Sequence, residues 1–181
     1  MFFRMAVFAV MLVSTSSNAD WIFQERKDEM TDRVTKLAML PISPELAMFI
    51  TKSPIDDKAL ITFALTNGSL DFFGQDKIIQ YRVDGHLVRD INFKTADAIP
   101  SLKPFYSWSP RRVRGVAWNG KPTPEKQCGF FSELLNSPSK LTVRYTDFQD
   151  ITRIFSTESL GKVEVVFEVL EIKIEDCKNN T

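Results

Sequence analysis

The stretch KIIQYRVDGHLVRDINF, residues 77–93, holds two apolar-rich runs on either side of an Asp84-Gly85 pair, with Leu87, Ile91 and Phe93 on one alternate set. A repeat of two puts those side chains on one face of a strand, and Asp-Gly tolerates the positive φ that tight hairpin turns demand. The stretch therefore predicts a β-hairpin. Other runs repeat the theme. WIFQER, KDEMTD and RVTKLAML read as strand, turn and strand. KLTVRYTD alternates Leu141, Val143 and Tyr145, with ITRIFST as its antiparallel neighbour.

Elsewhere the pattern is less regular. ALITFALTNGSLDFFG gives two strand-like runs split by Asn67-Gly68, a strong hairpin signal. PISPELAMFITKSPIDD carries three prolines and reads as a loop with a short helical turn from Pro44. KTADAIPSLKPFYSWSPRR reads as a loop, and VRGVAWNG as a short strand ending in a turn at Asn119-Gly120. TPEKQCGFFSELLNS starts with a Thr cap and a Pro at the first helical position. Its Phe130, Phe131, Leu134 and Leu135 form one apolar face, which predicts a helix. KVEVVFEVLEIKIEDC fits two periods. Val163, Val165 and Phe167 alternate as in a strand, while Phe167, Leu170, Ile174 and Cys177 share a helical face, so a strand with a helical end is expected. The sum is a mainly β chain with one packed helix, an α+β fold built as an antiparallel β-sandwich or curled sheet.

The N-terminus bears on compartment. Arg4, the apolar run Met5–Val13, a Ser/Thr stretch and small residues at Ser17 and Ala19 make residues 1–19 a secretory signal peptide; an uncleaved anchor is the alternative. Residues 20–181 then form a single β-rich globular domain, periplasmic or secreted, with no stable membrane insertion after cleavage. The chain has 23 basic and 23 acidic residues; removing Arg4 with the signal leaves the rest one charge negative. That balance argues against nucleic acid as a partner. In an oxidising compartment Cys128 and Cys177 predict a structural disulfide. Closing a loop of that length would contribute about 4 kcal/mol in the chain-entropy model.

Chemistry-bearing motifs are scarce. His86, the sole histidine, follows the Asp84-Gly85 turn and reads as a solvated hairpin residue, because metal sites and triads need several partners. No nucleophile elbow, phosphate-binding loop or zinc-protease helix motif occurs. Asp56, Asp57, Asp147 and Asp150 lack the spacing of a calcium loop and read as turn acids. No catalytic residue, metal ligand or cofactor is expected. A glycan hydrolase needs only two suitably separated carboxylates and stays open as the alternative.

One stretch invites a binding role. PFYSWSPRRVRGVAW sets Arg111, Arg112 and Arg114 among Phe105, Tyr106, Trp108 and Trp118. Arginine and aromatic rings are the types that dominate binding hot spots, so Trp108, Arg111, Arg112, Arg114 and Trp118 are candidate protein-binding residues. The alternative puts Trp118 and Phe105 in the core, with the arginines guarding an exposed edge.

Taken together, the N-terminal WIFQERKDEMTD, the later IIQYRVDG, the aromatic middle, a helix before LTVRYTD and a terminal cysteine resemble the VasI-type family of secreted bacterial proteins, which is associated with type VI secretion. The resemblance spans Trp21 to Cys177. It departs at LITFALTNGSLDFF, which lacks the cysteine that commonly precedes the YRVDG-like stretch in that family. The resemblance implies a periplasmic accessory protein without catalysis, with a protein partner in the cell envelope, or a toxin-neutralising role.

Overall fold

The computed structural model describes residues 20–27, 30, 32, 34–52, 59–66, 72–74, 76, 78–93, 103–116, 129–135, 140–157 and 159–172. The expected signal segment 1–19, the Asn67-Gly68 and Asn119-Gly120 pairs, Trp118, Cys128 and Cys177 lie outside these residues.

Ten strands, two α-helices and one 3-10 helix (Lys103–Phe105) are described: β1 (Ile22–Lys27), β2 (Val34–Pro41), β3 (Leu46–Lys52), β4 (Ala59–Leu65), β5 (Ile78–Val83), β6 (Arg89–Asn92), β7 (Ser107–Ser109), β8 (Arg112–Val116), α1 (Gly129–Leu135), β9 (Leu141–Thr146), β10 (Thr152–Ser156) and α2 (Val163–Val169). They form a six-stranded sheet in the order β1-β2-β3-β4-β8-β7 and a four-stranded sheet in the order β10-β9-β5-β6, antiparallel throughout. This is the expected mainly β class with packed helix.

The sheets face each other through their alternating apolar sets. On the small sheet Ile79, Tyr81, Val83, Leu141, Val143 and Tyr145 are buried, while Arg82 and Arg144 on the opposite face are exposed. Phe63 of β4 meets Tyr81 of β5 with ring centroids 5.4 Å apart. The layers approach closely at Gly115. A Cβ there would lie 2.9 Å from Ile91 Cγ2 and 3.2 Å from Tyr106 Cε1, so no larger residue fits without a shift. The core continues into α1, where Phe130 meets Tyr81 and Phe131 meets Phe167 of α2, both edge to face.

Besides Ser107–Ser109, which pair with β8 as strand β7 inside the stretch read as a loop, three segments differ from the sequence reading. LAMFITK is not a loop but the interior strand β3, between β2 and β4. Its flanking prolines punctuate rather than break it: Pro41 ends β2, and the Ser43 hydroxyl accepts from the Glu45 and Leu46 amides to turn the chain. β4 is flanked on its two sides by β3 and β8 rather than by the run that follows it; Asn67-Gly68 itself lies outside the described residues. The chain instead crosses to the other layer, where Phe73 bridges Asp147.

The third is Val163–Val169, a helix rather than a strand. Val163, Val166, Phe167 and Leu170 are buried at helical spacing. Its end is locked by a reciprocal cap: Glu171 N–H donates to Glu168 O, and Ile172 N–H donates to Phe167 O. Glu171 sits at φ 55°, where glycine is usual, and its carboxylate accepts from Lys36 Nζ at 2.8 Å. That bond holds the Glu171 carboxyl below, and the Lys36 amine above, their ordinary values.

The predicted β5–β6 hairpin is present, with Tyr81 opposite Arg89. His86 N–H closes the turn onto Val83 O at 2.9 Å. Asp84, not glycine, takes the left-handed conformation at φ 43°. Its backbone and carboxylate explain the choice: Asp84 N–H donates to Lys140 O, and Asp84 Oδ1 accepts from Lys140 N–H.

Candidate functional site

One end of the sandwich is built from three turns that meet. Phe73 N–H donates to Pro110 O in the β7–β8 turn, Gly74 N–H to Thr146 O, and Phe148 N–H to Phe72 O. A Cβ on Gly74 would stand 2.6 Å from Thr146 O and 2.7 Å from Asp147 O, both backbone atoms, so only glycine fits this crossing.

Asp147 organises the turn between β9 and β10. It is fully buried, and its carboxylate accepts from Gln149 N–H at 2.8 Å, Ile151 N–H at 2.9 Å and Arg153 Nε at 2.8 Å. Burial works against the charged form, but the bonds from Ile151, Arg153 and Gln149 prevail and hold the carboxyl below its ordinary value. Asp150 completes the turn at φ 60°. A turn fixed in this way thrusts Phe148 and Ile151 outward, 52% and 46% exposed. Phe72, 38% exposed, lies edge to face with Phe148 at 5.6 Å. Arg111 lies over the Phe72 ring at 5.6 Å and donates to Thr66 O. Two open rings, an isoleucine and a braced guanidinium thus share a rigid end.

The candidate binding residues do not gather at one place. Arg111 belongs to this end. Trp108 is half-buried, its ring against Phe73 and Phe93, both at 5.8 Å. Arg112 and Arg114 lie on the large sheet's outer face, Arg112 exposed and Arg114 half-buried, opposite Ala64 and Thr62 of β4. Phe105 is in the core, as the alternative reading expects. Trp118 lies outside the described residues, as do the disulfide candidates Cys128 and Cys177. Phe72, Phe148 and Ile151 were not among the candidates. The signal for Phe148 is an aromatic set between turn acids in TDFQD, whereas nothing in DFFG tells which phenylalanine faces out.

A second polar cluster lies deeper. Arg89 of β6 points into the core and binds Glu133 of α1 through Nη2 and through Nε at 3.2 Å, both residues buried. His86 Nδ1 stands 3.9 Å from Glu133 Oε1, beyond hydrogen-bond reach. Among the described residues no three His, Cys, Asp or Glu side chains converge as metal ligands would, and no helix is long and apolar enough to cross a membrane. No family model, curated protein or solved structure matches the chain.

Proposed function

We propose that this protein is a non-catalytic binding or accessory protein of the bacterial periplasm, and that it engages a protein partner of the cell envelope through the Phe72–Phe148–Arg111 end. The observation that carries this reading is the exposure of two mutually packed phenylalanines on a turn fixed by a buried aspartate. Exposed rings held this rigidly cost little ordering entropy on binding, and they sit beside an arginine, the mix that marks hot spots. The signal-like N-terminus and the VasI-type resemblance point to a partner among secretion components, or to a toxin that the protein neutralises. The glycan hydrolase is the weaker reading, because among the described residues the buried carboxylates Asp147 and Glu133 are each tied up by an arginine.

The test is a photo-crosslinking amino acid placed at Phe148 and, as control, at Arg144 on the polar face. A partner captured from position 148 alone, whose stoichiometric binding falls at least tenfold with Phe72→Ala and Phe148→Ala, supports the reading. Release of soluble fragments from peptidoglycan, abolished by a single acid substitution, would overturn it.

A further inference from the structure

Among the described residues each sheet ends in two rims with no strand beside them, and the four are not equally protected. Among the described residues β1 and β7 bound the large sheet, and β10 and β6 the small one. β6 and β7 have only four and three residues. β1 is longer, but Glu25, Arg26 and Lys27 stand at successive positions, a charged guard against foreign strands. β10, with the sequence TRIFS, has neither protection. Its one charge, Arg153, is spent on the buried Asp147 carboxylate, and its central side chain, Ile154, is 62% exposed.

The backbone of β10 is phased to accept a neighbour. Asp147 N–H donates to Ile151 O, and Thr157 N–H donates to Leu141 O. Hydrogen-bonded pairs in an antiparallel ladder recur every second residue, so Arg153 and Phe155 turn their backbone groups toward β9. Thr152, Ile154 and Ser156 therefore aim N–H and C=O at the open rim.

The strand is also complementary to itself. Laid antiparallel on a second copy about Ile154, it sets Ile154 against Ile154, Thr152 against Ser156, and Arg153, already tied to Asp147, across from Phe155. Apolar meets apolar, hydroxyl meets hydroxyl, and no like charges oppose. We propose that two copies of this chain associate through β10 in a two-fold symmetric strand pair centred on Ile154, each small sheet continuing into the other. The interface is isologous, and it is small because β10 has five residues, so association rises with concentration.

Sedimentation equilibrium on the full purified chain tests this. The wild type is expected to show a monomer–dimer equilibrium, and Ile154→Lys to be monomeric with the melting temperature that the wild type has when diluted to monomer, since the side chain is exposed. Mixing Ile154→Lys with Ile154→Glu is expected to restore a dimer, because the two-fold axis sets the opposite charges face to face. A wild type that stays monomeric up to its solubility limit would overturn the proposal. So would an Ile154→Lys protein that dimerises like the wild type, or a charge-swapped mixture that stays apart.

Discussion

Glu133 and Asp147 are both buried acids answered by an arginine, yet they support different kinds of structure. Glu133 joins one side chain on α1 to one on β6, across the core. Asp147 joins a side chain to the backbone of its own turn, satisfying two amides as well as Arg153. The contrast separates two uses of burial. A side-chain pair in the core can be replaced by apolar groups of similar volume, because desolvating both ions offsets most of their attraction. An acid that serves backbone amides has no such substitute, because the amides remain when it is removed.

The sharpest break of that contrast is Glu133→Ala, which leaves Arg89 buried and unanswered; it is expected to lower stability by about 3–5 kcal/mol in denaturant unfolding. The joint change Arg89→Met with Glu133→Leu should recover most of that loss, whereas no apolar residue at 147 should do so. Asp147→Ala is expected to cost about 2–3 kcal/mol through its stranded amides. Its charge can be isolated by pH. Because the folded carboxyl lies below the ordinary aspartate value of 3.8, its ionised form stabilises the fold above that value, and the contribution is lost as pH falls through the lower, folded one. The melting temperatures of wild type and Asp147→Asn, apart at neutral pH, should therefore converge only below pH 3.8. Gly115→Ala, a purely steric change between the layers, is expected to cost about 1–3 kcal/mol. The smallest effect is a gain: Glu171→Gly should relieve the left-handed backbone at the α2 cap by about 1 kcal/mol, a few degrees in melting temperature, partly offset by the lost Lys36 bond.

Legibility in the sequence depends on how each segment is buried. β5, β6, β9 and β10 lie in a sheet with one wet face, so apolar residues alternate and the hairpins show. β4 reads as a strand from its continuous apolar run, but not which strands flank it, since Leu60, Thr62 and Ala64 on one face are buried along with Ile61 and Phe63 on the other. β3 was hidden by prolines that mark its borders. α2 was hidden by valines, which favour strands in isolation; here packing of Phe167 on Phe131 and the cap at Glu171 outweigh that preference. The candidate site was half legible. Arg111 stands in the stretch that composition singled out, but its companions Phe72 and Phe148 come from distant turns, and only the crossing at Gly74 brings them together.

That crossing has a mechanical consequence. Residues 72–74 are stitched to the β7–β8 turn on one layer and to the β9–β10 turn on the other. A tug on Phe72 is therefore shared by both sheets at once, loading their strands together instead of unzipping one rim. The end should behave as a stiff handle, yielding only when the two layers part.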